Sequence, residues 1–208
     1  MGEQILDAGS NLVIECGKYG VFMINTNSIM SLPKPTAGIV LAAGMSRRFG
    51  RTKQLLKLEN KYLIEWVLDA ALASRLSKIV LVLGHHHQQI MRALGPKLTR
   101  PRLQVVINRR YAEGQSQSLR AGLSVVRKAY SAAMFLLGDQ PGLRSATIDH
   151  LLECFWNSRK SICVPVCRGI RGNPTIFRRS MYCKLMAIEG DAGARNIIHG
   201  NPQWVLNV

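Results

Sequence analysis

From residue 36 onward the chain alternates short apolar runs with longer amphipathic ones, and this alternation restricts the fold more than any other feature. Residues 38–43, 78–83, 103–107, 133–137 and 162–166 have the length and composition of buried strands. Residues 62–76, 88–94, 116–128, 146–157 and 179–187 read as helices between and after them. In the first helix Leu63, Val67, Ala70, Ala71 and Leu72 form the apolar side, leaving Glu65 and Asp69 to face water. The pattern predicts an α/β fold: a mostly parallel, doubly wound sheet with helices on both faces, in a single domain spanning 37–208. Ligands on such a sheet bind beyond the carboxyl ends of the strands.

Residues 1–36 stand apart as an N-terminal extension without visible chemistry. Two apolar pieces, 11–14 and 19–24, flank Gly17 and predict a small hairpin before the turn-like SLPKP. Glu3 and Asp7 occupy the place of the basic region of a secretion signal, and no apolar run is long enough to span a bilayer. A cytoplasmic chain is therefore expected, with no membrane partner. The five cysteines are scattered and odd in number, which argues against a disulfide scaffold. Cys163 and Cys167 bracket VPV, but in a strand that spacing covers about 13 Å, too far for two ligands of one zinc.

The chemistry concentrates at LAAGMSRRFGRTKQLL, residues 41–56. A buried strand breaks there into a loop with Gly44, Gly50, Ser46 and the cations Arg47, Arg48, Arg51 and Lys53. Glycines let main-chain N–H groups close on a bulky anion, and the cations neutralise it. The obvious anion is a nucleoside triphosphate; a solvated basic loop is the alternative. Neither common phosphate motif is present. No Lys-Ser/Thr pair follows the second glycine, and no Gly-x-Gly-x-x-Gly opens a helix.

Further constellations lie at predicted strand and helix ends. In MFLLGDQPGL an apolar strand delivers Asp139, which either holds a hard cation such as Mg²⁺ or caps the next turn. EGDAGARNII sets Asp191 and Arg195 around a tight turn, as metal ligand and phosphate contact, or as a helix cap with a surface arginine. In NRRYAEGQSQSLRAGL the start of a helix offers free N–H groups with the Ser116 and Ser118 hydroxyls to a phosphate or a base. The GHHHQQ run would place His85 and His87 on one face of an extended segment, but no cysteine or carboxylate lies nearby in sequence.

Leu-Ala-Ala-Gly-x-Ser-x-Arg-x-Gly-x-x-Lys resembles the signature loop of the sugar-nucleotide and cofactor nucleotidyltransferases, above all the molybdenum cofactor cytidylyltransferase family. Gly-Asp-x-Pro at Asp139, Gly-Asp-x-Gly-Ala-Arg at Asp191 and the Ser118–Leu123 stretch are similar to further motifs of that family, in family order. RGNPTIF resembles its Arg-Gly-His-Pro segment, with Asn173 in place of the histidine, and Gln117 replaces the first of two usual serines. The resemblance implies that Leu41, Ala42, Ala43, Gly44, Ser46, Arg48, Lys53, Gly84 and Ser118 bind nucleotide. It implies that Arg48, Lys53 and Asp139 are catalytic, that Asp139 and Asp191 hold Mg²⁺, and that Asn173, Pro174 and Arg195 meet the acceptor.

The activity so implied is transfer of CMP from CTP to a molybdopterin-type molybdenum cofactor, with release of pyrophosphate. Guanylyl-transferring relatives typically carry Leu-Ala-Gly-Gly, so Ala43 leans toward CTP. The expected partners are these small molecules and a receiving molybdoenzyme, with the chain acting as a monomer. Other nucleotidyltransferases, including cytidylyl transfer to a small alcohol phosphate, remain alternatives. The resemblance also implies a further strand and helix after NPQWVLNV, so the domain is expected to be short at its C-terminal end, which leaves a non-catalytic nucleotide-binding relative as another reading. The net charge of +16 keeps nucleic-acid binding in view. The cations are spread along the chain without aromatic interleaving, which speaks against it.

Overall fold

The computed structural model describes residues 5–8, 11–15 and 21–25 as backbone strands, and residues 34–44, 52–191 and 193–208 with their side chains. Two compact units result, Met1–Lys34 and Pro35–Val208. The first contains β1 (Ile5–Ala8), β2 (Asn11–Glu15) and β3 (Val21–Asn25), a three-stranded antiparallel sheet in the order β1-β2-β3. The expected hairpin is the β2–β3 pair, with Ile14 opposite Phe22, and β1 adds a third strand.

The second unit runs from β4 (Thr36–Ala42) to a short hairpin of β5 (Lys57–Leu58) and β6 (Lys61–Tyr62), then α1 (Leu63–Ala73), β7 (Lys78–Leu83), α2 (His87–Leu94), β8 (Leu103–Ile107) and α3 (Gln115–Val126). It continues through β9 (Ala132–Leu137), α4 (Ser145–Asn157) and β10 (Ile162–Val164) to a second hairpin, β11 (Val166–Cys167) and β12 (Ile170–Arg171). The remaining elements are β13 (Thr175–Arg178), α5 (Tyr182–Met186), α6 (Arg195–Gly200) and β14 (Val205–Asn207).

Seven strands pair in the order β14-β10-β13-β9-β4-β7-β8. The sheet is mostly parallel, and β13 runs antiparallel to both of its neighbours. Alternate strand residues feed two cores, as the two-residue strand period requires. Val40, Ile79, Leu81, Met134 and Leu136 pack with α1, α2 and α4. Ile39, Val80, Val82, Phe135 and Phe177 pack with α3, α5 and α6 on the other face. This is the doubly wound sheet that the alternation predicts. The chain enters the main part of the sheet at β4, goes first to β7 and β8 on one side, and returns through α3 to β9 on the other. The crevice at the carboxyl ends of β4 and β9 is therefore the topological switch point, where sheets of this kind bind ligands.

Several predicted elements differ in their limits. Helix α1 ends at Ala73, because the Ser74 hydroxyl donates to the Ala71 carbonyl at 2.7 Å and turns the chain out. Its buried stripe is Ile64, Val67, Leu68 and Ala71, while Leu63, Ala70 and Leu72 are half-buried. Glu65 does not face open water, since Lys97 Nζ lies 2.9 Å from it. The strand expected over 162–166 stops at Val164, where Pro165 has no N–H to continue the ladder. The helix expected over 179–187 is a single 3-10 turn, Arg179–Met181, followed by the short α5. His87 opens α2, so His85 and His87 do not share an extended segment. Cys163 is buried in β10, which pushes its thiol pKa up to about 12, and Cys167 is exposed on β11.

Candidate active site

At the switch point lies a cavity of about 450 Å³. Leu41, Ala43 and Gly44 line it from the end of β4, Leu137 and Asp139 from the end of β9, and Tyr111, Ala112, Gly114, Gln115 and Ser118 from the approach to α3 and its first turn. Gln54 and Asp191 complete the wall. Separate strand ends thus deliver the motif residues to one place, although nearly a hundred positions separate Gly44 from Asp139 along the chain. Ala42 is buried in the core and does not line the cavity. Ser46 and Arg48 lie outside the described residues.

The central contact is ionic. Lys53, on a 3-10 turn with Gln54 and Leu55, donates from Nζ to Asp139 Oδ2 at 2.7 Å. Gly84 follows β7 and is a packing residue. A Cβ there would come within 2.6 Å of Tyr111 Cβ and 2.9 Å of Ala43 Cβ, so only glycine lets the cavity wall close at this point.

The first turn of α3 differs from the expectation of free N–H groups. Gln115 N–H donates to Asp191 Oδ1 at 3.0 Å, Ser116 N–H to the Gly190 carbonyl at 3.1 Å, and Gln117 N–H to the Gly114 carbonyl at 3.3 Å. The chain itself satisfies these donors, so they are not available to a phosphate. Asp191 therefore caps a helix, but α3 rather than the α6 that follows it in sequence. Among the described residues the buried Ser116 hydroxyl has no hydrogen-bond partner, whereas Ser118 lines the cavity and accepts from Asn108 Nδ2 at 3.1 Å.

Asp139 and Asp191 share the cavity wall, and their oxygens suit a hard cation. Among the described residues no cluster of three or more His, Cys, Asp or Glu could hold an ion alone. A cation here would complete its shell with substrate phosphates, which is the usual habit of Mg²⁺.

A second cavity of about 190 Å³ adjoins the first and shares Leu137 and Gln115 with it. Its wall includes Asn173 and Arg195, together with Arg171, Thr175 and His199. Pro174 is buried and does not line it. Sequence reasoning missed Gln54, Tyr111, Gln115, Arg171 and His199. Gln54 and Gln115 directly follow motif residues and carried that much signal; Arg171 opens the RGNPTIF segment and carried the signal of that motif, whereas His199 carried none beyond its residue type.

A family model described as the MobA-like NTP transferase domain matches residues 38–204. The chain is 33% identical over 127 residues to the probable molybdenum cofactor guanylyltransferase of Pyrococcus horikoshii, covering 61% of this chain and 59% of that protein. It is 28% identical over 152 residues to the molybdenum cofactor cytidylyltransferase of Escherichia coli, covering 73% of each. Among solved structures it is similar to Rv0371c of Mycobacterium tuberculosis, with a TM-score of 0.73 at 27% identity over 84% of this chain and 87% of that one. A complex of Rv0371c with manganese gives a TM-score of 0.70 at 26% identity, again over 84% and 87% of the two chains.

Proposed function

The chain belongs to the MobA-like NTP transferase family, and on that premise we propose that it transfers a nucleotidyl group to a molybdopterin-type molybdenum cofactor, with CTP as donor. The observation that carries this reading is the cavity at the switch point of the sheet, whose wall includes Asp139 with Lys53 Nζ held against it at 2.7 Å. Support for cytosine comes from Ala42-Ala43-Gly44, in place of the Ala-Gly-Gly of guanylyl-transferring relatives. GTP is the second reading, favoured by the identity to the Pyrococcus guanylyltransferase.

In the proposed reaction a terminal phosphate oxygen of the acceptor attacks the α-phosphorus in line. The new P–O bond forms as the bond to the β-phosphate oxygen breaks, and pyrophosphate leaves with the bonding pair. The attacking phosphate is already ionised, so the protein need not supply a nucleophile. Its task is positioning and charge stabilisation. Lys53 neutralises charge growing on the pyrophosphate, and Arg48 shares this role. Leu41, Ala43, Gly44 and Ser118 bound the nucleoside, with Ala42 and Gly84 shaping the wall from behind. Asn173 and Arg195 hold the acceptor in the adjoining cavity, where Pro174 fixes the backbone. Mg²⁺, the divalent cation of this proposal, would be held by Asp139 and Asp191 and would neutralise phosphate charge there.

Residues 37–208 are the catalytic unit in this reading, acting as a monomer in the cytoplasm and passing the product to a molybdoenzyme. Among the described residues no helix is long and apolar enough to cross a membrane. Mass spectrometry of the product tests the proposal. Incubation with CTP, Mg²⁺ and molybdenum cofactor is expected to yield the cytosine dinucleotide. A product formed only with GTP would overturn the choice of base, and no product with either nucleotide would overturn the activity.

A further inference from the structure

Among the described residues two belong to the walls of both cavities, Leu137 at the end of β9 and Gln115 at the start of α3. Leu137 is apolar, so the side-chain amide of Gln115 is the polar group at the junction. The charged residues divide between the two sides: Asp139 and Asp191 line the large cavity, Arg171 and Arg195 the small one. The place of Gln115 is fixed by its own backbone. Its N–H donates to Asp191 Oδ1 at 3.0 Å, and the next N–H, of Ser116, donates to the Gly190 carbonyl at 3.1 Å. Gly193 makes room for the side chain. A Cβ there would stand 3.0 Å from Gln115 Oε1 and 3.6 Å from its Cδ, and the backbone holds a φ of +54° that glycine adopts without strain. The stretch that caps α3 thus also seats the amide. Among the described residues this amide makes no hydrogen bond, so both of its ends are open to a ligand.

A transfer between a nucleotide in one cavity and an acceptor in the next forms its new bond where the two cavities meet. We propose that Gln115 is a further catalytic residue of this transfer, whose NH₂ donates to a non-bridging oxygen of the α-phosphate while the acceptor attacks. This inference rests on the proposed reaction. The acceptor oxygen forms the new P–O bond, the β-phosphate oxygen leaves with the old bonding pair, and negative charge is carried on the non-bridging oxygens between them. A positioned donor at those oxygens stabilises that charge. Only the NH₂ end of the amide can serve, because a phosphate oxygen accepts and the amide oxygen cannot donate. Gln115 itself gains and loses no proton. Leu137, the other shared residue, offers no competing hydrogen bond.

Gln115→Met keeps the length of the side chain and the main-chain N–H that meets Asp191, and removes only the amide. Steady-state pyrophosphate release with molybdenum cofactor, with CTP and with GTP, gives kcat and KM, and titration calorimetry with the same nucleotides and Mg²⁺ gives their affinity without turnover. The expected result is a kcat lower by about 10²-fold, as for other amide donors that meet transition-state charge. Nucleotide affinity is expected to stay within about threefold and the melting temperature within a few degrees, a split that a merely structural role would not produce. Gln115→Asn, which returns an amide on a shorter chain, is expected to recover part of the lost rate. A kcat within threefold of wild type in Gln115→Met overturns the assignment while leaving the proposed reaction intact. A loss of nucleotide affinity as large as the loss of rate also overturns it, since the amide would then hold the ground state equally well. A wild-type chain that releases no pyrophosphate from either nucleotide overturns the proposed reaction, and the role of Gln115 with it.

Discussion

Lys53 Nζ lies 2.7 Å from Asp139 Oδ2, with the two side chains 35% and 31% exposed. Lys53 lies on the 3-10 turn beyond β4 and Asp139 just past the neighbouring β9, so the contact joins the segments that follow two adjacent central strands. A half-exposed pair of this kind contributes at most about 1 kcal/mol to folding. In the proposed reaction the same pair would meet substrate phosphate and cation, which need a positive and a negative group side by side.

Substitution of either residue by alanine should therefore separate activity from stability. Lys53→Ala and Asp139→Ala are expected to slow nucleotidyl transfer about 10²–10³-fold, the usual effect of losing a group that meets transition-state charge. Melting temperatures should stay within a few degrees of wild type. Near-wild-type transfer by Asp139→Ala would remove this residue from the metal site.

Asp191 has one observed task and one proposed task, which one pair of variants can divide. Its Oδ1 caps α3 through Gln115 N–H at 3.0 Å, and asparagine caps about as well as aspartate. Asp191→Asn is expected to keep the melting temperature while losing activity at low Mg²⁺ concentration, and Asp191→Ala to lose about 0.5–2 kcal/mol of stability as well. Calorimetric melting alongside a Mg²⁺ titration of the rate checks both. Full activity of Asp191→Asn at low Mg²⁺ would confine the residue to capping.

A charge cluster beside α1 sets how the fold responds to pH. Burial alone would raise the Glu65 pKa, but Tyr62 N–H at 2.8 Å and Lys97 outweigh it and hold the carboxyl below its usual 4.5. Asp69 is likewise raised by burial and then held below 3.8 by Lys61 and Lys97. Lys97 is lowered by burial but raised above 10.5 by the two acids. Depressed carboxylates contribute fully above their unfolded pKa and lose that contribution as pH falls through the folded values. The raised lysine contributes fully below its unfolded pKa and loses it as pH rises through the folded value. Lys97→Met should thus cost no more than about 1 kcal/mol near neutrality, and its melting temperature should fall less than that of wild type between about pH 6 and pH 3. Equal acid sensitivity of the two proteins would contradict this.

Gly122 lets α3 lie directly on the sheet. A Cβ at this position would stand 2.4 Å from Ile39 Cγ2 and 3.0 Å from Val82 Cγ2, both on core strands. Gly122→Ala is expected to destabilise the fold by about 1–3 kcal/mol despite its gain in helix propensity, measured by urea unfolding. A neutral or stabilising effect would show that α3 can shift without cost.

The doubly wound sheet was legible because its central strands are buried on both faces and therefore read as continuous apolar runs between amphipathic helices. The limits of β10 and α1 depended on Pro165 and on the Ser74 hydroxyl, local effects that hydrophobic period does not register. Strand β13 is not legible as a strand because Thr175–Arg178 is short and overlaps the RGNPTIF segment. Among the candidate site residues, Asp139 and Ser118 are legible at a strand end and a helix start, and Lys53 through the basic loop that carries the resemblance. The capping of α3 by Asp191 could not, because it joins positions 76 residues apart through a loop-to-helix contact with no sequence period. His199 reaches the second cavity by tertiary placement alone.

Pyrophosphate release tests the central claim most directly. The purified chain is assayed with CTP and with GTP, each with and without molybdenum cofactor, in the presence of Mg²⁺. Release with CTP that requires the cofactor is the expected result, with a much lower rate from GTP. Failure of both nucleotides to release pyrophosphate in the presence of the cofactor would contradict the proposed activity.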